Sequence, residues 1–126
     1  MRQSSRDRDP EYQARRAEQR AESERRYQEN DARRAQQRKE ALKRLEPDIR
    51  MLERNGLLRK LDLSLGQAYV EPVMWHALSI DAKQGVAGTL AAYRDAKGEG
   101  SRLAIMDWRS GKKLASYSPS RGFSVE

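Results

Sequence analysis

Large apolar side chains are distributed unevenly along this chain, and their distribution decides which part can form a core. Those before Pro47 are Met1, Tyr12, Tyr27, Leu42 and Leu45. Nearly all the Leu, Ile and Val residues and both Trp residues follow it. Because apolar burial drives folding, residues 47–126 are predicted to form a small domain. Residues 10–46 are then an extension, and residues 1–9, charged and without hydrophobic periodicity, are predicted to be disordered.

Charge and cysteine content narrow the classes of protein. The net charge is +7 over 126 residues, and cysteine is absent, so disulfides, thiolate zinc sites and thiol catalysis are excluded. The N-terminus has no apolar stretch, and no window approaches the length of apolar sequence that a membrane span needs. We therefore expect a cytoplasmic protein without a membrane segment.

Residues 72–97 have the pattern of an amphipathic helix on which the domain is organised. At 3.6 residues per turn, one stripe collects Trp75, Leu78, Ala82, Val86, Thr89, Leu90 and Tyr93. Ser79 can cap the regular part, and Asp81 lies in the first turn, where the helix dipole favours negative charge. Gly98 is placed to end the helix.

Extended segments flank this central helix. Residues 57–63 and 67–71 predict one β-hairpin, although a helical turn at 57–61 stays open because its leucines are not β-branched. Residues 102–108 and 113–118 predict a second. The fold class is therefore α+β, with a long N-terminal charged helix followed by a small domain of two β-hairpins packed on one central helix.

The extension is rich in Ala, Arg, Glu and Gln, which are strong helix formers, and predicts a helical arm over residues 10–46. Residues 14–26 align with residues 32–44 at a spacing of 18, or five helical turns. Four glutamates precede an arginine by four residues, which is the favourable order for an ion pair. The pairs are Glu11–Arg15, Glu22–Arg26, Glu29–Arg33 and Glu40–Arg44.

Pro47 suits the first turn of a helix better than a helix interior. We therefore predict that a second, short helix begins there and stops near Asn55-Gly56. Leu45, Ile49 and Leu52 give it the first large apolar stripe of the chain.

Three interpretations of the arm remain open: a solvated helix held by its own ion pairs, a weak alanine-lined seam to a partner, and a nucleic-acid arm. The candidate partner or phosphate contacts are Arg15, Arg16, Arg20, Arg33, Arg34 and Arg38. Residues 1–46 hold 14 basic and 10 acidic residues, and this near balance weakens the nucleic-acid interpretation.

Gly85, Gly88 and Ala92 form a small-residue face on the central helix. Glycine within a helix costs up to about 1 kcal/mol relative to alanine, so close approach of another backbone is a reasonable explanation. The face is predicted to pack against the chain's own hairpin, and a dimer or partner contact is the alternative.

The Ser-Gly-Lys sequence at residues 110–112 is predicted to form a hairpin turn. A phosphate-binding loop needs a glycine where Met106 stands and Ser or Thr where Lys113 stands. Asp107, just before the turn, is predicted to bond to its backbone.

His76 is the only histidine, and it falls at the edge of the buried stripe. A surface or boundary histidine is the expected outcome. No catalytic residue, metal ligand or cofactor site is predicted.

The run from Trp75 through Tyr93 to the sequence SGKKLASYS at 110–118 and Gly122-Phe123 resembles a small bacterial domain of unassigned function. The resemblance covers about residues 56–125, leaves out the arm, and implies no chemistry.

The sequence thus favours a non-enzymatic interaction or assembly protein, in which a small α+β module carries a stiff charged arm that docks a partner, expected to be a protein. The alternative is a nucleic-acid-binding protein that uses the arm for phosphate contacts. Self-association stays open, and no cofactor is expected.

Overall fold

In the computed structural model, which describes residues 9–126, a long helix precedes a five-stranded sheet and two further helices. The elements in chain order are α1 (Pro10–Arg54), β1 (Leu58–Asp62), β2 (Gln67–Val70), α2 (Pro72–Ala77), α3 (Ile80–Ala96), β3 (Leu103–Asp107), β4 (Lys113–Ser118) and β5 (Gly122–Val125). The predicted α+β class is confirmed. The disorder predicted for residues 1–9 concerns positions that, apart from Asp9, lie outside the described residues. None of the helices within 9–126 combines the length and apolar character of a membrane span.

The chain divides into two compact units. The described residues up to Gln37 form one, and Arg38–Glu126 form the other. The sequence put the division at Pro47 instead, because the large apolar residues become frequent there.

The predicted helix start at Pro47 is wrong, because α1 continues through this proline to Arg54. Leu45 and Ile49, one helical turn apart, are 8% and 4% exposed. Burying such side chains contributes about 1.5–3 kcal/mol each, which is comparable to the cost of about 3 kcal/mol for an interior proline. Packing on both sides of Pro47 therefore keeps the helix continuous.

The five strands lie in chain order in one sheet. The pairs β1–β2, β3–β4 and β4–β5 are antiparallel. β2 and β3 are parallel, because the two helices connect them as a crossover. Residues 58–62 form a strand, which closes the alternative of a helical turn.

One face of the sheet carries the core. Ala68, Val70, Leu103, Ile105 and Ala115 alternate along β2, β3 and β4 and are at most 3% exposed. Positions between them, such as Tyr69 and Met106, are half-buried on the opposite face. α3 covers the core face, so the opposite face is the open face of the sheet.

β5 is an addition that the sequence did not predict. The last strand predicted from the sequence is 113–118, yet Ser118 pairs with Gly122 and Ala115 with Val125. Phe123 reaches the core, where its ring centroid lies 6.5 Å from that of Trp75.

The central helix is divided in two at Leu78 and Ser79, which have extended backbones. Ser79 caps α3 by accepting a bond from the Ala82 N–H at 3.1 Å, as its position predicted. Gly98 follows the last helical residues with a φ of +84°, also as predicted.

The buried face of α3 is rotated from the predicted stripe. Leu90 is buried, but its buried neighbours are Ala87 and Ala91. Val86 and Tyr93 are only half-buried. The alanines bring α3 close to the sheet because they carry no bulk beyond Cβ.

Candidate functional site

The helical residues of the first unit, 10–37, are called the N-terminal segment here. Every side chain in it is exposed except half-buried Tyr12. The N–H of Glu11 donates to the Asp9 carboxylate at 3.0 Å and so satisfies one free donor of the first turn. Local bonds and helix propensity, rather than a core, account for the helical form of this segment.

One predicted ion pair is formed with good geometry. Arg26 Nη2 lies 2.7 Å from Glu22 Oε1. Further along α1, Arg50 and Glu46 approach to 3.7 Å, a pair that the sequence analysis did not count. Exposed pairs of this kind contribute about 0.3–0.5 kcal/mol.

The helix sorts the charges of the N-terminal segment onto separate faces. At about 100° per residue, a sector about 140° wide holds arginines and no carboxylate; we call it the arginine sector. Its arginines are Arg15, Arg16, Arg20, Arg26, Arg33 and Arg34. The aspartate and glutamate residues lie on either side of it. The small net charge of the segment therefore conceals a face of one sign.

All six candidate arginines of the sequence analysis are exposed. Five belong to the arginine sector, and Arg38 is the first residue of the second unit. Arg16, Arg20 and Arg34 form no ion pair with the carboxylates of residues 9–126. Arg16 and Arg20 are also i,i+4 neighbours of like charge, an arrangement that slightly destabilises a helix.

The glycine face is not packed within the chain. A Cβ atom placed on Gly85 or Gly88 would meet nothing within 4 Å, and Ala92 is exposed. The predicted packing of a hairpin on this face is therefore wrong, since Ala87 and Ala91 face the sheet instead. Contact with a second molecule stays a prediction.

The 110–112 sequence lies in the turn between β3 and β4, as predicted. The Asp107 carboxylate accepts bonds from the N–H groups of Arg109 at 2.7 Å and Ser110 at 3.1 Å. Burial raises the pKa of this carboxyl, but the two N–H groups favour its ionised form, and together with the Ser110 side chain and the Arg109 charge they leave the pKa below its ordinary value. The bonds give Asp107 a structural role in the turn.

His76 is exposed in the last turn of α2, so the surface interpretation of this histidine is confirmed. Within residues 9–126, no three His, Asp or Glu side chains are grouped so that they could hold a metal ion.

Arg94 has a role that the sequence analysis missed. From α3, its guanidinium donates to the carbonyl oxygens of Leu63 at 2.7 Å and Arg102 at 3.0 Å. It thereby ties the β1–β2 turn to the start of β3. A helix wheel cannot find this role, because both acceptors are backbone atoms distant in sequence.

A second missed feature lies on the open face, where Arg59, Lys60, Tyr69 and Trp108 form what we call the sheet-face cluster. The Tyr69 and Trp108 ring centroids are 6.5 Å apart, with the ring planes at 82°. Arg59 Cζ lies 5.6 Å from the centroid of Trp108, and Lys60 Nζ lies 5.6 Å from that of Tyr69. The only available signal was the alternation of Tyr69 with buried Ala68 and Val70 on β2, because Lys60 on β1 follows another exposed residue, Arg59.

Comparison with known proteins found no matching family model, curated protein or solved structure. The resemblance of residues 56–125 to a small bacterial domain remains a prediction.

Proposed function

We propose that the protein is a non-enzymatic interaction protein, in which the α+β unit carries a charged helix that docks a partner. The observation that carries the proposal is the N-terminal segment, whose 28 residues, 10–37, are helical and, apart from half-buried Tyr12, solvent-exposed. Such a segment contributes no core to the fold, so its surface is available for binding.

The arginine sector is the docking face that the charges favour. Arg16, Arg20 and Arg34 are exposed and have no ion-pair partner among the carboxylates of residues 9–126. The repulsion between Arg16 and Arg20 is relieved when an anionic group binds between them. A protein with an acidic surface is the first candidate partner.

Nucleic acid is the second candidate, and the same sector favours it. Phosphates bind arginine clusters without needing a shaped pocket. The carboxylates bordering the sector act against a broad polyanion more than against a narrow acidic patch, so the protein partner ranks first.

The non-enzymatic part of the proposal rests on the distribution of polar groups. Within residues 9–126, no polar or charged side chain is buried. Catalytic acids and bases usually lie in clefts where burial shifts their pKa.

Partner capture by matched charge variants tests the proposal. The double variant Arg16→Gln/Arg34→Gln removes two charges from the arginine sector. Arg25→Gln/Lys39→Gln removes the same net charge from the other side of α1. Each full-length protein is immobilised, exposed to lysate of the source cell, and its bound proteins are quantified by mass spectrometry.

The expected result is a specific protein that is lost with the first variant and retained with the second, while circular dichroism shows equal helicity. Loss of capture after nuclease treatment would show that the partner is nucleic acid and that proteins are captured only through it. Equal capture by both variants and by a chain lacking residues 1–37 would overturn the proposed function.

A further inference from the structure

We propose that the sheet-face cluster is a binding site for single-stranded nucleic acid, in which Trp108 stacks on a base and Arg59 and Lys60 bind the neighbouring phosphates. This site lies in the second unit and is independent of the N-terminal segment.

The backbone brings the four residues of the cluster onto one face. Lys60 on β1 pairs with Tyr69 on β2, and Tyr69 is in register with Met106 on β3. Trp108 extends this parallel ladder by one residue, since its N–H donates to the Val70 carbonyl at 2.9 Å. The sheet thus fixes two aromatic rings and two cations side by side, facing away from the core.

Trp108 is exposed to an unusual degree for its size, with 42% of its surface accessible. Trp75, the other tryptophan, is 1% exposed. Tryptophan is normally well buried, and an exposed aromatic ring beside cations is the arrangement on which single-stranded nucleic acids stack. The perpendicular contact with Tyr69 restricts the Trp108 ring, so binding would lose little side-chain entropy.

The electrostatics around the cluster favour an anion. Arg59 and Lys60 have no ion-pair partner among the carboxylates of residues 9–126. Three carboxylates on neighbouring elements have other partners. Glu71 is paired with Arg109 at 3.2 Å, and Asp107 accepts the N–H bonds of its own turn. Asp62, on which the Lys60 charge acts, accepts bonds from the Ser64 hydroxyl and the Leu65 N–H. Each cation lies over an aromatic ring and is held by no carboxylate, so in the proposed complex it moves from the ring to a phosphate and leaves the ring to a base.

Beyond the aromatic rings, a row of small side chains crosses the open face. Ala104 on β3 is in register with Ser116 on β4, and Ser116 with Ser124 on β5. With strands about 4.8 Å apart, this row gives a shallow floor about 10 Å long beside Tyr69 and Met106. An extended chain of nucleotides can lie along it.

Unpaired bases and phosphates together match these groups. Stacking of a base on an aromatic ring accepts any base, and cations beside the ring follow the backbone. A duplex keeps its bases stacked inside and cannot supply the ring contact. The structure therefore predicts a preference for single strands with little sequence specificity.

Tryptophan fluorescence of the full-length protein tests the inference. The probes are oligothymidylate and oligouridylate of about 12 nucleotides, within the usual site size, together with a duplex of equal length. Because Trp75 is 1% exposed, quenching on addition of a single strand reports Trp108. We expect such quenching, and binding of the single strand at least about tenfold tighter than that of the duplex.

Three variants assign the effect to the cluster, with binding followed by anisotropy of a labelled oligonucleotide. Trp108→Ala should weaken single-strand binding by roughly 5- to 100-fold. Arg59→Gln/Lys60→Gln retains both rings but removes two phosphate contacts. Each contact with a single strand contributes about 0.7 to the slope of log K against log salt, so the double variant should reduce the magnitude of that slope by about 1.4. Ile80→Ala is the control, because it shortens an exposed side chain on α3, the helix that covers the other sheet face. It should change neither the single-strand affinity nor its salt dependence.

Three results would overturn the inference: no quenching by single strands at low salt, equal affinity for duplex and single strand, or binding insensitive to both cluster variants. Binding that depends on Arg16 and Arg34 but not on the cluster would assign nucleic acid to the arginine sector instead. Binding of an acidic peptide in place of oligonucleotides would give the cluster a protein ligand. If Trp108→Ala does not fold, the inference is judged by whether Arg59→Gln/Lys60→Gln reduces the slope of log K against log salt.

Discussion

Among single residues, Gly66 is the position where the backbone demands glycine most clearly. Its φ is +67°, and a Cβ there would lie 2.8 Å from the carbonyl oxygen of Arg102. Alanine would have to adopt a left-handed backbone and displace a main-chain atom. Gly66→Ala should therefore lower the free energy of unfolding by about 1–3 kcal/mol. Chemical denaturation measures this loss.

Gly85→Ala is the matched control, because its Cβ would meet nothing within 4 Å. It should leave stability unchanged or raise it by about 0.5–1 kcal/mol through helix propensity. Equal losses at the two glycines would show that a neighbour crowds α3 at Gly85, as a close-packed partner would.

Asp107 gives the β3–β4 turn a pH dependence. Burial raises its pKa, but the bonds from Arg109 and Ser110 leave the folded-state pKa below the ordinary value of 3.8. A carboxyl with a depressed pKa contributes stability above its unfolded pKa, and that contribution is lost as the pH falls through the folded value. Asp107→Asn should therefore be less stable than the native chain at neutral pH, and the difference should narrow below about pH 4. Denaturation at several pH values measures it, and a constant difference would contradict the assignment.

Among the elements, α1 carries the clearest conflict between local preference and packing. Pro47 lies inside the helix, with Leu45 and Ile49 buried on either side. Pro47→Ala should restore a helical N–H donor and stabilise the second unit by about 1–3 kcal/mol. If Pro47 instead began a helix, its replacement would be neutral or destabilising. Thermal melting of the full-length protein distinguishes the two cases.

The elements also show how far sequence patterns reach. The segment 113–118 was predicted with its observed bounds, and Ser79 and Gly98 were identified as the ends of α3, because caps and alternation are local signals. The start of a helix at Pro47 was a local signal too, but burial of Leu45 and Ile49 outweighed it. β5 is a short edge strand whose pairing depends on β4, so its own residues gave no clear pattern.

The candidate sites divide in the same way. The exposed arginines of α1 follow from helix periodicity and were named in advance. The sheet-face cluster joins residues 59, 60, 69 and 108, which only the strand register brings together. Register between strands that are distant in sequence cannot be deduced from one chain, so neither this cluster nor the bonds of Arg94 could be found.

For the whole molecule, the boundary between folded unit and helix is the property to test. The sequence puts it at Pro47, whereas the second unit begins at Arg38 and includes buried Leu45, which is 8% exposed. Side chains 10–37 are exposed, apart from half-buried Tyr12, so a fragment of residues 38–126 should melt cooperatively at nearly the temperature of the full chain. A fragment of residues 47–126 lacks Leu45 and begins its helix two residues before Ile49. It should be less stable by about 2 kcal/mol or more, as large losses from a core are. Calorimetry of the two fragments and the full chain makes the comparison. Equal melting temperatures for the two fragments would show that the folded unit begins at Pro47 and that Leu45 does not contribute to its core.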